Sequence, residues 1–312
     1  MESDHPILVT GATGTIGGVG GKLVKALLRR GLPVRAFAHR QDERADALRR
    51  EGVEVVVGDL TSPDDVLRAL SDVKRLYFGP SVSPSFLEAA VMVAAAARQV
   101  GSIECLVNMS QMTVSEMDLS HMTGSPDHRQ HLLVEQVLDW SGLPVVHMRP
   151  TVFLQHPFFF AWAAESIASQ STLRLPFADG RTSPIDTHDV AEVVATILAE
   201  PARHIGKVYD LTGPRSENMR DMAAEYSAAL GKPVTYVDVS FEEWRTKELP
   251  SHGFPPHVLE HFAVMAVLHA QNRYDRLTHA VEDLTGRPAT SVKDFVARHA
   301  AAFEEPAGRA RP

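Results

Sequence analysis

The segment ILVTGATGTIG, residues 7–17, constrains the fold more than any other stretch of the chain. A short apolar strand runs directly into Gly11, Gly14 and Gly17, and the helical pattern KLVKALLRRG follows. Gly11 permits the tight turn, Gly14 lets backbone approach a pyrophosphate, and Gly17 lets helix and strand pack closely. Unpaired N–H groups at the helix start then face the anion. Glycines at this spacing are weak evidence by themselves; their place between strand and helix gives them weight. The alternative is a tight strand–helix turn that holds no ligand. Thr13, Thr15 and Ile16 complete the expected cradle. Glycines also occupy positions 18, 20 and 21, which weakens a first helical turn. Either the phosphate loop is longer than usual, or the helix begins late, near Lys22.

Short β-branched runs alternate with amphipathic stretches through the first two thirds of the chain. The strands read as ILVTG, VRAFA, VEVVVG, RLYFG, ECLVNMS, PVVHMR and a later KVYDLTG. In KLVKALLRRG, Leu23, Leu27 and Leu28 share a face and Gly31 ends the helix. Near-continuous apolar strands between helices imply a parallel sheet covered on both faces: an α/β, doubly wound Rossmann fold. Its ligand belongs at the carboxyl ends of the strands. Ser125-Pro126 opens a helix that ends at Gly142, and Asp186 and Thr187 cap another. Beyond Gly213-Pro214 the pattern turns mainly helical with one strand, VTYVDV. Residues 1–156 and 184–215 are therefore expected to form the nucleotide-binding unit. A smaller, mainly helical lobe takes 157–183 and 216–305, and 306–312 form a disordered tail.

The chain has 312 residues, 44% of them hydrophobic, enough for a large core, and a formal net charge of -8. That charge repels phosphate backbones, and the Arg29-Arg30 and Arg49-Arg50 pairs sit at expected helix ends, so no nucleic-acid role is expected. The single cysteine, Cys105, lies in the apolar run IECLV and allows no intrachain disulfide. MESDHPILV lacks the marks of a signal peptide, and AAVMVAAAA is shorter than the ~20 residues of a membrane span. A cytoplasmic protein, monomer or homodimer, is expected.

The end of the second strand decides which dinucleotide fits. NAD-specific sites place a carboxylate there, about 20 residues past the glycines, on the ribose 2′-OH. VRAFAHR supplies His39 and Arg40 instead, and a guanidinium can pair a 2′-phosphate bidentately. Asp42 and Glu43 follow closely. NADP(H) is the expected cofactor; the other reading of Arg40 is a solvated loop residue. Asp59 and Leu60, ending the third strand, should line the adenine pocket.

VTGATGTIG, VRAFAHR, VVVGDL, SGLPVVHMRPTVF, SPIDTHDVAEV and YDLTGP together resemble the NmrA-like group of atypical short-chain dehydrogenase/reductases, over nearly the whole chain. The resemblance implies an extended Rossmann domain, a small C-terminal substrate lobe and NADP(H). Members include quinone and ketone reductases, isoflavone-type reductases and non-catalytic redox sensors, so membership alone does not settle activity. Ordinary short-chain dehydrogenases use a Ser and a Tyr-x-x-x-Lys, whose Tyr protonates the developing alkoxide. None of Tyr77, Tyr209, Tyr226, Tyr236 and Tyr274 has a lysine four residues on. At the corresponding helix the chain reads His131-Leu-Leu-Val-Glu135. A carboxylate one turn from an imidazole raises its pKa, so His131 is expected to be a charged general acid oriented by Glu135. The other readings are an ordinary i,i+4 pair or the vestige of a lost site.

Ser110, at the end of the fifth strand, matches the usual Ser position; it could bond a substrate carbonyl or merely cap a turn. Gln111 and Met112 are expected to line the substrate pocket, Gly79-Pro80 to pass the cofactor ribose, and Pro150-Thr151-Val152-Phe153 to flank the nicotinamide. The aromatic run from Phe153 through Phe158 to Trp162 reads as core or as the wall of a flat, apolar substrate site. His121, His128 and His131 lie near one another without a Cys or paired carboxylate at ligand spacing, so no metal is expected. GxSxG and P-loop lysine motifs are absent. Two functions remain: an NADPH-dependent reductase of aromatic ketones or quinones, or a non-enzymatic NADP(H) sensor.

Overall fold

The computed structural model describes residues 5–14 and 18–304. Seven parallel strands form the central sheet: β1 Ile7–Thr10, β2 Val34–Ala38, β3 Glu54–Val57, β4 Arg75–Phe78, β5 Cys105–Met109, β6 Val145–Pro150 and β9 Val208–Leu211. Their order is β3-β2-β1-β4-β5-β6-β9. The order reverses between β1 and β4, which opens a crevice at their carboxyl ends. Side chains alternate across the sheet as its pleat requires. Ile7, Val9, Cys105, Val107, Val146 and Met148 enter one core, under α1 (Val19–Arg29) and α7 (Thr187–Ala199). Leu8, Leu76, Phe78, Leu106 and Val145 enter the other. That second core is closed by α3 (Pro63–Leu70), α4 (Phe86–Val100) and α5 (Pro126–Trp140).

Helix starts are fixed by short polar side chains. Asp42 caps α2 (Glu43–Arg50), Ser62 caps α3, Ser125 caps α5 and Asp186 caps α7, with Pro63 and Pro126 in the first turns of α3 and α5. Each cap sits at the carboxyl edge of the sheet, because a helix following a parallel strand starts where the strand ends.

A third core gathers Leu154, Phe158, Phe159, Phe177, Trp244, Phe262 and Phe295. It is enclosed by α6 (Ala161–Gln170), α8 (Met219–Leu230) and the helix Pro256–Ala270. Two small sheets stitch this lobe: β7 (Thr172–Leu175) pairs parallel with β11 (Thr235–Asp238), and β8 (Arg181–Thr182) pairs antiparallel with β10 (Glu217–Asn218). The segment 216–305 is not confined to it, a departure from the sequence expectation. Ala280–Thr285 returns to the nucleotide-binding unit, burying Val281 in the core under α7, because Val281 and Leu284 supply an apolar face that β9 and α7 leave uncovered. The tail 306–312 lies outside the described residues. Among the described residues no helix is long and apolar enough to cross a membrane.

Candidate functional site

The glycine turn is a backbone-on-backbone contact. Gly11 adopts φ +69°, and a Cβ there would lie 2.2 Å from the Gly79 carbonyl oxygen. The Gly14 N–H closes the turn on the Gly11 oxygen at 3.1 Å. Thr10 ties the two strand ends together: its hydroxyl donates to the Tyr77 carbonyl (3.1 Å) and accepts from the Gly79 N–H (2.9 Å). Gly79 thus sits beside the turn, with Pro80 half-buried after it. Thr15, Ile16 and Gly17 lie outside the described residues.

Close packing of helix on strand is secured by Gly20, a position sequence reasoning did not single out. A Cβ on Gly20 would fall 2.6 Å from the Gly11 oxygen and 2.9 Å from the Ala12 nitrogen. The helix starts at Val19, on a left-handed Gly18 with φ 63°. Gly20 thus packs on the turn nine residues after Gly11, and the helix begins before Lys22 rather than at it. The surplus of glycines is needed because α1 approaches the turn within van der Waals distance while Gly18 takes a positive φ.

At the end of β2 the charges sort themselves. Asp42 accepts from the backbone of Arg44 and Ala45 (both 3.0 Å) and from the Arg44 side chain (2.7 Å). The Ala45 N–H, then Arg44, hold its carboxyl below the usual carboxylate range. Asp42 is therefore engaged as a cap rather than offered to a ribose hydroxyl. Arg44 reaches further and donates to the Thr13 carbonyl at 2.8 Å, fastening the glycine turn to α2. Sequence reasoning missed Arg44, though a guanidinium one turn into the helix was its available signal. His39 and Arg40 are exposed, and Arg40 has no ion pair among the described residues. Asp59 is exposed and closes its own turn, accepting from the Thr61 N–H and hydroxyl (both 2.8 Å), while Leu60 packs against the second core.

Ser110 follows β5 at the crest, and with Met109 opposite Met148 the register brings it level with Arg149, one residue before Pro150. Ser110 is 3% exposed, its N–H is bonded to the Met148 carbonyl (2.8 Å), and its Oγ has no partner. A buried hydroxyl without a partner is uncommon and marks a place for a ligand or water. Gln111 is half-buried after it, and Met112 is buried.

The structure corrects the reading of His131 as a charged acid. Glu135, 2% exposed, is gripped by Arg149 through Nε (2.9 Å) and Nη2 (2.5 Å). Its charge is spent there. Burial pushes the His131 imidazole down to about 4; Glu135 opposes the shift and His261 reinforces it. His131 packs edge-on to Phe86, and its Nδ1 is buried without a partner. His128 and His261 lie 5.0 Å apart, ring to ring; His128 shares a hydrogen bond with Thr123 (2.8 Å) and His261 with Ser125 (2.8 Å). Burial drives both imidazoles toward neutrality. The α5 side of the crevice is thus a cluster of neutral imidazoles. Among the described residues no three His, Cys, Asp or Glu side chains converge as a metal site.

The aromatic run divides. Phe158 is 1% exposed, ringed by His156, Trp162, Phe177, Trp244 and Phe262, so it is core and does not touch a substrate. Its expected role is withdrawn because the second lobe folds around it. Phe153, half-buried, bridges to Ile185 and packs on the nucleotide-side core. An open cleft of about 600 Å³ lies between 116–124 and the helix Pro256–Ala270, floored by Met117, Val264, Val267 and Leu268. Glu116 at its mouth is held by Arg273 and Arg276.

A parallel sheet reversed at β1/β4, a glycine turn under the reversal point and a helix start aimed at it define a Rossmann-type dinucleotide-binding protein. The chain belongs to the NmrA-like family, whose profile matches residues 3–296. It is 32% identical over 301 residues to (4-alkanoyl-5-oxo-2,5-dihydrofuran-3-yl)methyl phosphate reductase of Streptomyces griseus, covering 95% of this chain and 99% of that protein. It is 28% identical to the NAD(P)H azoreductase of Xenophilus azovorans, covering 95% and 99%. The solved NADPH-dependent quinone oxidoreductase of Escherichia coli, complexed with NADPH, superposes with a TM-score of 0.81 at 22% identity, over 94% of this chain and 99% of that one.

Proposed function

We infer that the protein is an NADPH-dependent reductase whose acceptor is a quinone or another flat aromatic compound that can delocalise the charge it gains. The residues fit the cofactor: Gly11 and Gly20 leave no room for a Cβ, Arg40 is uncommitted, and Asp42 is occupied as a cap. The glycine turn lets the pyrophosphate approach the backbone closely, and the N–H groups at the start of α1 hold it. Arg40, with Arg44 beside it, receives the 2′-phosphate. The bound nicotinamide supplies hydride.

The observation that carries the choice of acceptor is that His131 is buried and neutral while the buried Ser110 hydroxyl, at the end of β5, has no partner. A saturated ketone becomes an alkoxide and needs an acid in the transition state. No tyrosine supplies one. Tyr226 donates to the Phe159 carbonyl, Tyr236 to the Leu175 carbonyl (2.7 Å), and Tyr209 shares a hydrogen bond with His204 (2.7 Å). Tyr274 stacks on His269, and Tyr77 is buried beneath Gly79. A quinone instead becomes a phenolate, which spreads the charge and takes its proton from water. Ser110 Oγ donates one hydrogen bond to the accepting oxygen. The smaller lobe, built from 157–183 and most of 216–305, supplies the far wall through the cleft at Met117 and Val264.

NADPH oxidation followed at 340 nm tests this. Turnover with a naphthoquinone and an azo dye, and none with cyclohexanone, is expected. Efficient cyclohexanone reduction would defeat the phenolate argument. Tight NADPH binding without turnover of any acceptor would make the protein a sensor.

A further inference from the structure

A short polar chain crosses the second core beneath the crest. Asn108 on β5 and His147 on β6 are buried, and the strand register sets them opposite each other. They lie on the side of the sheet that Leu106 and Val145, two residues earlier on each strand, give to that core. Asn108 Nδ2 is 3.0 Å from His147 Nδ1, and His147 Nε2 is 3.0 Å from the Asp139 carboxylate near the end of α5.

The hydrogens in this chain run one way. A carboxylate only accepts, so the hydrogen of the neutral His147 ring sits on Nε2. His147 Nδ1 is then a bare acceptor, and Asn108 must give it an amide N–H. That turns the amide oxygen away from His147, and Asn108 Oδ1 is buried without a partner. Ser110 Oγ, two residues further along the chain, is buried without one as well. The Ser110 N–H bond to the Met148 carbonyl carries the strand alternation past the end of β5, so both side chains belong to the α5 side of the sheet. Residues so placed have Cα atoms about 6.6 Å apart, a span that one water bridges.

We propose that a buried water joins Asn108 Oδ1 to Ser110 Oγ, and that Asp139, His147 and Asn108 are positioning residues that commit Ser110 to donating toward the acceptor. The proposal rests on the reductase reading. Because Asn108 Oδ1 can only accept, the water gives it one hydrogen and gives the other to Ser110 Oγ. The single hydroxyl hydrogen of Ser110 is left to point into the crevice, at the oxygen that gains charge. With the Asn108 amide turned round, its NH2 would face the water, Ser110 could donate to that water, and the acceptor would lose its bond. A carboxylate at the surface thus sets the polarity of a hydroxyl at the crest, through the tautomer of one ring and the orientation of one amide.

Asp139→Lys tests this at a side chain that is 57% exposed, where the fold tolerates the change. An ammonium beside Nε2 only donates, so it drives the ring hydrogen to Nδ1 and turns the Asn108 amide. NMR spectra of the histidine ring nitrogens, with the His147 signal assigned by its loss in His147→Gln, should show the Nε2–H tautomer in wild type and Nδ1–H in Asp139→Lys. With an aromatic ketone, kcat of Asp139→Lys should fall about tenfold while KM holds. Asp139→Asn, whose amide oxygen still accepts, should recover most of the rate. In a Ser110→Ala background, Asp139→Lys should cost nothing further. An Nδ1–H tautomer in wild type, an unchanged tautomer or rate in Asp139→Lys, or an equal loss with and without the Ser110 hydroxyl would overturn the proposal. If no acceptor is reduced by wild type, the reductase reading falls, and the spectra still decide whether Asp139 sets the direction of the chain.

Discussion

On the β1 side of the crevice the chain makes its binding surface from backbone, whereas on the α5 side it uses buried imidazole. Gly11, Gly20 and Gly79 bring three main-chain segments together so closely that no side chain fits between them. Across the crest, His128, His131, His156 and His261 fill the seam between α5, the turn after β6 and the helix Pro256–Ala270, with buried nitrogens of His128, His131 and His156 left without partners. Backbone contacts are rigid and indifferent to pH. An imidazole cluster is adjustable and sensitive to it. The first suits a cofactor whose phosphates never change; the second suits an acceptor that gains charge.

The sharpest way to break this contrast is to add one carbon to the backbone side. Gly20→Ala puts a methyl 2.6 Å from the Gly11 oxygen, so α1 must shift off the turn. NADPH affinity should fall by about 100-fold or more, with a stability loss of roughly 1–3 kcal/mol. Gly31→Ala is the control: nothing lies within 4 Å and only its φ of +71° is disturbed. It should cost about 1 kcal/mol and leave NADPH affinity intact. Fluorescence titration and thermal melts separate the two. Equal NADPH affinity in both variants would deny Gly20 its packing role.

The imidazole side should reveal itself through acid. The charged forms of His128, His131, His156, His261 and His269 are all disfavoured by burial, with His131 pushed down to about 4 and His269 to about 3. An unfolded histidine takes up its proton near pH 6.5, while these stay neutral in the folded chain. Between pH 6.5 and 4 the unfolded state therefore binds more protons, and stability falls as pH falls. His131 alone contributes roughly 3 kcal/mol over that window. Urea midpoints should drop steeply from pH 7 to 5, and His131→Gln should flatten the slope. A midpoint unchanged over that range would mean the seam is wet.

This asymmetry also explains what the sequence disclosed. Gly11 and Gly14 were legible because turn chemistry is local: a strand, a glycine and a helix start within one short segment. Gly20 was not, since nothing local distinguishes it from Gly18 or Gly21; only the approach of α1 to the turn does. His131 and Glu135 were correctly placed on one helix, yet their pairing was misread. Arg149, fourteen residues on and one strand away, takes the carboxylate, while Phe86 and His261 close over the imidazole. Burial is a tertiary property and leaves no mark at i,i+4. Phe158 fails for the same reason, an aromatic run being equally apt for core and for pocket.

A smaller effect should come from the 2′-phosphate corner. Arg40→Ala removes an uncommitted guanidinium and should weaken NADPH by about tenfold, with NADH affinity unchanged. Arg44→Ala should weaken both dinucleotides, because it also releases the Thr13 carbonyl and with it the glycine turn. Direct binding measurements with both coenzymes distinguish the roles. An Arg40→Ala variant that binds NADPH as tightly as wild type would mean that Arg44 alone reads the phosphate.

Ser110→Ala should have the smallest effect and is the most informative about chemistry. Its hydroxyl has no partner, so deletion leaves no buried group stranded and the melting temperature should stay level or rise slightly. With a quinone acceptor, kcat should fall only a few-fold, because the phenolate carries its own charge and Ser110 contributes one hydrogen bond. With an aromatic ketone the loss should approach 100-fold, since a localised alkoxide depends more on the Ser110 hydrogen bond than a phenolate does. A uniform loss across both acceptors would mean that Ser110 positions the substrate, and the distinction between them would have to come from the imidazole side.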